Sequence, residues 1–165
     1  YHLKDAVGVA RGLHEYFRNS DLYFMANYAQ TVNVIGCIKT TRTKSGFATT
    51  GLPLLLYRNH FGSLPLEFEI DSTDLDISVA YTADKKYVTI AIVNPSSMTH
   101  VVESDPGNIK VKKEGVRWSI NGGDPESFNV PGEEPAVSIK EEPVIFRNTL
   151  ESPAYSIVLY QLEVK

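Results

Sequence analysis

Three side-chain amides interrupt an apolar stretch of the sequence, MANYAQTVNVI at residues 25–35, and they are candidates for binding chemistry. Asn27, Gln30 and Asn33 recur there at intervals of three. Amides are costly to bury without hydrogen-bond partners, so either the local backbone or a ligand must satisfy them. If residues 25–30 form a strand, Asn27 and Gln30 lie on opposite faces and cannot serve one site together. Gln30 falls where that strand would end, and its amide both donates and accepts, which suits the hydroxyls of a sugar.

Other common catalytic and ligand-binding patterns are missing from the sequence. It has no phosphate-binding glycine loop and no HExxH motif, its four histidines show no metal-ligand spacing, and residues 71–76 (DSTDLD) miss the spacing of a calcium loop. No metal and no cofactor is implied. The single cysteine, Cys37, excludes an intrachain disulfide and indicates a small buried hydrophobic side chain. Two glutamate pairs, residues 133–134 and 141–142, lie in GEEP and KEEP and are expected to be solvated turns that keep sheet edges soluble.

Three aromatic side chains in the second half of the sequence have two interpretations. Trp118 lies in the predicted strand VRWSI, and Tyr155 and Tyr160 lie in the last predicted strand. Exposed together, they would form a platform on which sugars stack. Buried, they would fill the core between two sheets. The core interpretation is preferred.

The elements that must position these residues change character along the chain, and the first part is helical. Residues 3–18 carry apolar side chains at steps of three and four, which predicts an amphipathic helix. A strand-like apolar run then continues to about Ile38, and the polar, basic residues 39–46 are expected to form a loop. Residues 51–60 predict a short helix, because Pro53 suits a first helical turn.

After Gly62 the hydrophobic period changes to two, which is typical of antiparallel sheets. Residues 75–82 and 87–94 alternate in this way around a turn at 83–86, and they predict a hairpin even though the turn lacks glycine. Further strands are predicted at 64–70, 99–103, 108–113, 115–120, 136–139 and 154–163. Many short strands separated by Pro, Gly, Asn and Asp turns indicate a β-sandwich.

The charge distribution also divides the chain near residue 62. Residues 1–62 hold seven Lys or Arg against three Asp or Glu, a net of +4, whereas residues 63–165 hold nine against seventeen, a net of −8. We therefore predict two units, the closing elements of an α/β body followed by the sandwich. No basic stripe favours nucleic-acid binding, and no apolar run reaches the ~20 residues that a membrane span needs. The composition predicts a soluble protein, either cytoplasmic or secreted.

Several motifs match a known family over nearly the whole chain. Y-x-L-x-D-A-x-x-x-A-x-x-L at residues 1–13 and MANYAQTVNVI at 25–35 match a helix and a strand ending in A-Q-x-V-N. The match continues through LPLLLYRNHFG (52–62), LDISVAYT to VTIAIVNPS (75–97) and ESFNVPGEEPAV (126–137). These motifs resemble the end of the family 51 α-L-arabinofuranosidases.

This resemblance implies a fold and an activity. The fold is a (β/α)8 barrel, whose last helix, last strand and connecting helix would be residues 1–62, followed by a jelly-roll-like accessory β-sandwich at residues 63–165. The activity is retaining hydrolysis of terminal arabinofuranosyl residues from arabinan or arabinoxylan oligo- and polysaccharides, in which one glutamate acts as acid/base and another as nucleophile. Both glutamates lie on earlier barrel strands of the family. The chain is therefore expected to hold no catalytic residue, to need the missing barrel portion as its partner, and to be inactive alone.

The resemblance also implies roles for individual amides. Gln30 matches the glutamine that hydrogen-bonds the bound arabinose, so Gln30 is the substrate-binding candidate of this chain. Asn33 matches the motif asparagine, to which a structural role is assigned, and Asn27 is expected to serve the local backbone. A homo-oligomer is left open as a further association.

Two alternatives stay open at this point. The chain could be a non-catalytic carbohydrate-binding or structural β-sandwich module, for which carbohydrate binding would require an exposed aromatic platform. It could also belong to a related glycosidase that cleaves a xyloside or a glucan, because the residues that set specificity would lie on loops outside this sequence.

Overall fold

The computed structural model describes residues 1–71 and 74–165, an arrangement of antiparallel sheets with two helices. Residues 72–73, inside the DSTDLD sequence, lie outside the described residues. The helices are α1 (Leu3–Arg18) and α2 (Gly51–His60). The strands are β1 (Ile38–Thr40), β2 (Ser45–Phe47), β3 (Leu64–Pro65), β4 (Asp76–Tyr81), β5 (Tyr87–Asn94), β6 (His100–Glu103), β7 (Val111–Asn121), β8 (Ser138–Ile145), β9 (Thr149–Ser152) and β10 (Ser156–Val164). The predicted mainly β, antiparallel fold class is confirmed.

Both helices form where the sequence predicts them. The apolar stripe of α1 is buried along its length, and its buried members are Leu3, Ala6, Val7, Ala10 and His14. At the start of α1 the Asp5 carboxylate accepts a hydrogen bond from the His2 backbone N–H at 2.8 Å, and negative charge is favourable at this end of the helix dipole. Pro53 lies in the first turn of α2, as expected. Neither helix of the described residues is long and apolar enough to cross a membrane.

A six-stranded antiparallel sheet, in the order β3-β4-β5-β10-β7-β8, forms the centre of the structure. Its β4–β5 pair is the predicted hairpin. The turn places Lys85 at φ +57° without glycine. Asp84 stabilises this turn because its carboxylate accepts hydrogen bonds from the Thr82 hydroxyl at 2.7 Å and the Lys86 N–H at 3.1 Å. An Asp side chain that bonds the backbone two residues ahead is a known turn former.

Strand β10 lies inside this sheet and is buried on both faces. Ile157 and Leu159 belong to a core cluster shared with α1 and α2. Val158 and Tyr160 point to the other face and join a second cluster, which includes Leu150 of the two-stranded sheet β6–β9. Because strand side chains alternate between faces, the doubly apolar sequence of β10 is what allows one strand to support both layers.

Three predicted element boundaries are wrong. The expected loop at 39–46 is part of the hairpin β1–β2, in which Lys39 pairs with Gly46. The strand expected over 64–70 is confined to β3, because the chain leaves β4 soon after Pro65. The strands expected at 108–113 and 115–120 are one strand, β7. Gly115 continues it, because it pairs with Leu162 of β10 on one side and Val144 of β8 on the other. A Cβ at this position would lie 2.6 Å from Leu162 Cδ2, which favours glycine there.

Strand β8 extends well beyond the strand predicted at 136–139, and it contains the KEEP sequence that was expected to be a turn. Strand β8 is an edge of the central sheet. Pro143 is tolerated there because an edge strand needs hydrogen bonds on one side only. The glutamates of KEEP therefore do lie on a sheet edge, but in an extended strand.

Candidate functional site

Residues 22–35, which we call the amide segment, are irregular and, apart from the half-buried Tyr28, exposed. The predicted buried strand through Ile38 is therefore wrong for this chain. Phe24 is 96% exposed and Val34 is 80% exposed. The segment makes an isolated parallel bridge from Val32 to Ile38, and none of the ten strands of the described residues lies in it. An extended segment without a neighbouring strand cannot pair its backbone groups, so its apolar sequence alone does not produce a strand.

Gln30 lies within the amide segment with its side chain exposed and its backbone at φ +51°. Among the described residues its amide has no hydrogen-bond partner. The left-handed conformation costs a residue with a side chain roughly 1–2 kcal/mol. The structure therefore leaves the donor and the acceptor of the Gln30 amide open to solvent, on a residue with a left-handed backbone.

The other two amides behave differently from each other. Asn33 brackets Thr40 of β1: its Nδ2 donates to Thr40 Oγ1 at 2.8 Å, and its Oδ1 accepts from the Thr40 N–H at 2.9 Å. Its φ of +54° is one that asparagine tolerates better than most residues. The predicted structural role of Asn33 is thereby confirmed. Asn27 is exposed and forms no hydrogen bond within the described part of the chain, so its expected bond to the local backbone is wrong.

A second group of polar side chains joins α1, α2 and β4, and we call it the polar clasp. His14 is fully buried, with Nδ1 lying 3.1 Å from Asp76 Oδ1 and Nε2 lying 2.7 Å from the Tyr57 hydroxyl. Arg18 Nη1 also donates to Asp76 Oδ1, at 2.7 Å. Arg11 Nε lies 3.6 Å from Asp76 Oδ2. One carboxylate of β4 thus binds three side chains of α1.

The protonation states of the polar clasp follow from these contacts. Burial lowers the pKa of His14, and the hydrogen bond to Asp76 offsets only part of that effect. Burial alone would raise the pKa of Asp76, but the hydrogen bonds from His14 and Arg18 outweigh it and hold this pKa at about 2. Burial also raises the pKa of Tyr57 well above its usual value. Near neutral pH the clasp holds an ionised Asp76 beside a neutral His14 and a neutral Tyr57.

The polar clasp was not predicted from the sequence, although His14, one of its members, lies in the apolar stripe of α1. His14 occupies the apolar stripe, one turn after Ala10 and two turns after Val7. A histidine at such a position must find partners for both ring nitrogens when the stripe is buried. The partners themselves are not visible in the sequence, because Tyr57 and Asp76 lie 43 and 62 residues away.

The aromatic side chains support the core interpretation and not the sugar platform. Trp118 and Tyr160 are each 5% exposed and lie on opposite faces of the central sheet. The Trp118 indole stacks on the His60 ring, with 4.1 Å between ring centroids, and its Nε1 donates to Glu141 at 2.8 Å. Tyr155 is half-buried against the core cluster that Ile157 and Leu159 share with α1 and α2, which we call the helix-facing cluster. These three rings cannot form one exposed surface.

Neither glutamate pair has the surroundings of a catalytic acid. Glu133 and Glu134 are exposed in a turn, and Glu142 pairs across β7 and β8 with Arg117 at 3.5 Å. The pKa of Asp76 is shifted in the wrong direction for a general acid, since a value of about 2 keeps the carboxyl group ionised. Within the described residues no group of three or more His, Cys, Asp or Glu could hold a metal ion. Cys37, expected to be buried, is half-exposed.

Comparison with known proteins matches this chain to one protein family and to part of the length of several curated relatives. The model of the α-L-arabinofuranosidase C-terminal domain family matches residues 1–156. A probable α-L-arabinofuranosidase C of Aspergillus clavatus is 27% identical over 96% of this chain and 34% of its own length. An α-L-arabinofuranosidase C of Emericella nidulans is 28% identical over 84% of this chain and 28% of its own. The chain thus spans about a third of the length of the curated relatives it matches.

Solved structures share the fold at lower identity. An α-L-arabinofuranosidase of Thermotoga maritima, crystallised as an arabinose complex, superposes with a TM-score of 0.87 at 20% identity, over 99% of this chain and 39% of its own. A family 51 α-L-arabinofuranosidase of Bifidobacterium longum gives 0.80 at 21% identity, over 99% and 35%. A family 44 xyloglucanase of Paenibacillus polymyxa gives 0.68 at 14% identity, over 98% and 29%. At these identities the likeness establishes the fold alone.

Proposed function

The chain belongs to the α-L-arabinofuranosidase C-terminal domain family, and we propose that it is the C-terminal portion of a retaining α-L-arabinofuranosidase. The enzyme would remove terminal arabinofuranosyl residues from arabinan or arabinoxylan. The observation that carries this proposal is the family match over residues 1–156, which includes the amide segment. In such a mechanism two carboxyl groups stand about 5 Å apart, and one protonates the leaving oxygen while the other forms a glycosyl intermediate.

Within the proposal, residues 1–62 are the last elements of a (β/α)8 barrel and residues 63–165 are the accessory β-sandwich. The catalytic glutamates would lie on barrel strands outside this sequence. The exposure of the amide segment supports this division, because its apolar side chains, including Phe24 and Val34, would be covered by a neighbouring barrel strand. In this chain α1 and α2 pack on the central sheet through one shared core cluster, so the two units would form a continuous body.

Gln30 is the proposed contact of this chain with the sugar. Its exposed amide lacks a partner within the described residues and can donate to one hydroxyl of an arabinofuranose while accepting from another. Asn33 would support it, because its two hydrogen bonds to Thr40 anchor the amide segment three residues further along.

The test of the proposed division is hydrolysis of 4-nitrophenyl α-L-arabinofuranoside by this purified 165-residue chain, with its intact mass checked in parallel. We expect a folded chain without activity, because the acid/base and nucleophile would be missing. Activity that survives further purification of a chain of the correct mass would place catalytic carboxylates within residues 1–165 and contradict the proposal.

Replacing Gln30 with alanine in the assembled enzyme, barrel portion included, should reduce kcat/KM on 4-nitrophenyl α-L-arabinofuranoside about 5- to 150-fold. This corresponds to the ~1–3 kcal/mol lost when a sugar hydroxyl loses its partner. The matched control is Asn27→Ala, which removes an exposed amide from the same segment and should leave kcat/KM unchanged. Equal values for Gln30→Ala and the wild type would remove Gln30 from the site.

The same enzyme should be assayed on the 4-nitrophenyl β-D-xyloside and on a glucan. The structural likeness to a xyloglucanase means that the fold does not select the sugar. Preference for the arabinofuranoside supports the proposed substrate class. A larger kcat/KM on the xyloside or the glucan would replace it with the related glycosidase that the sequence left open.

A further inference from the structure

We propose that the polar clasp is a pH-sensitive lock, in which neutral His14 fastens α1 to the central sheet and protonated His14 releases it. The proposal rests on three features of the structure. His14 is fully buried, both of its ring nitrogens have partners, and these partners come from two different elements, α2 and β4. It does not depend on the proposed catalytic function.

The contacts define one neutral form of the ring. The Asp76 carboxylate can only accept, so His14 Nδ1 carries the proton and donates across the 3.1 Å to Asp76 Oδ1. Nε2 is then an acceptor, and the Tyr57 hydroxyl donates to it across 2.7 Å. In this form the Nδ1–H of His14 and the hydroxyl of Tyr57 each have an acceptor. The Tyr57 hydroxyl, which is buried, therefore needs no other partner.

Protonation of the His14 ring disrupts the pairing of donor and acceptor between His14 and Tyr57. A proton on Nε2 makes His14 a donor at both nitrogens, so the Tyr57 hydroxyl must turn and accept. Its own hydrogen then has no acceptor among the described residues. An unpaired buried donor costs about 1–3 kcal/mol. The mismatch is local, at the contact between α1 and α2.

The charged groups around His14 act on its protonation in opposite directions. Asp76 of β4 favours a positive ring, but its carboxylate is already shared with Arg18 at 2.7 Å and approached by Arg11 at 3.6 Å, both from α1. From the outer side of α1, Glu15 pairs with Arg18 at 2.9 Å and is exposed. Tyr57 is the titratable group facing the ring from α2. A charged ring would be a third cation near one carboxylate. Burial is the main reason why the pKa of His14 is lowered, Asp76 offsets part of that effect, and Arg18 adds a smaller lowering.

The direction of the pH effect follows from that shift. A histidine whose pKa is lower in the folded chain than its usual 6.5 binds its proton more readily once released. The lock is therefore at full strength above pH 6.5 and weakens as the pH falls below that value. Because α1 leads directly into the amide segment, opening would also move Gln30, a consequence that does rest on the proposed function.

Hydrogen exchange of the α1 backbone amides, corrected for intrinsic rates, tests the lock between about pH 7.5 and about pH 5. For one proton the opening constant should rise below pH 6.5 by as much as about tenfold per pH unit. His14→Gln, which keeps a donor and an acceptor but cannot titrate, should remove this rise. His60→Gln, the control at the other partly buried histidine, should keep it. Equal pH slopes for wild type and His14→Gln, or a flat wild type, would overturn the proposal.

A second measurement needs no variant and decides the matter if His14→Gln does not fold. The ring nitrogen shifts of His14 in the wild-type chain report both its tautomer and its titration. We expect the Nδ1–H tautomer at pH 7.5 and a midpoint below 6.5. The Nε2–H tautomer, or a midpoint at or above 6.5, would contradict the lock.

Discussion

Replacing Asp76 with asparagine is expected to lower the free energy of unfolding by about 2–3 kcal/mol at neutral pH. Asparagine keeps the shape of the side chain but loses the charge that holds Arg18 at 2.7 Å and Arg11 at 3.6 Å. It also turns a pure acceptor beside His14 into a group with its own donors. The expected loss lies below that of a fully buried ion pair, because 13% of the Asp76 side chain is still exposed.

The pH dependence of the stability lost in Asp76→Asn distinguishes the contribution of the Asp76 charge from that of side-chain packing. The pKa of Asp76 is lowered from 3.8 to about 2 in the folded chain. Its contribution is therefore complete above 3.8 and is lost as the pH falls towards 2. Urea unfolding of both chains across this range should show the difference between them shrinking with acid.

The control for Asp76→Asn is Asp84→Asn in the exposed β4–β5 turn. An asparagine oxygen can accept the same hydrogen bonds from Thr82 and Lys86, so little change is expected. If both variants lose the same stability, or if the Asp76→Asn loss persists unchanged at pH 2, the polar clasp does not stabilise the fold through its charge.

Replacing Leu159 with alanine should cost about 2–5 kcal/mol, the range for emptying a well-packed core position. Leu159 is fully buried in β10, opposite Ala91 of β5 and Trp118 of β7. Strands on both sides hold it in place and α1 and α2 cover it, so the cavity cannot easily collapse. Thermal or urea unfolding measures the cost.

Leu55→Ala is the matched control for this core position, since it makes the same chemical change on α2 at a side chain that is 36% exposed. It should cost ~0.5 kcal/mol, as substitutions near the surface do. A comparable loss at Leu55 and Leu159 would mean that the helix-facing cluster is not the tight core that the structure indicates.

Local sequence patterns were sufficient to predict several elements of the fold. Both helices and the β4–β5 hairpin form where the sequence predicts them, because their periodicity and turn residues are contained within short stretches of chain. The motifs around Gln30 and Asn33 were sufficient to indicate the family, and the hydrogen bonds of Asn33 reach only seven residues ahead. The burial of Trp118 was also predicted, because it lies in the predicted strand VRWSI of a β-sandwich, where a large aromatic side chain is expected to fill the core.

Tertiary structure alone decided the rest, because the deciding partners are distant in the chain. The amide segment has the composition of a strand, but a strand exists only where another strand pairs with it, and within the described residues the amide segment has no such neighbour beyond its single bridge. The position of His14 in the apolar stripe of α1 indicates that it needs partners, but the sequence does not identify them, since Asp76 and Tyr57 reach it only after the sheet and α2 have packed on α1. A sequence pattern specifies which face of an element is apolar, whereas the partner that covers the face, and the polar groups it brings, depend on the fold.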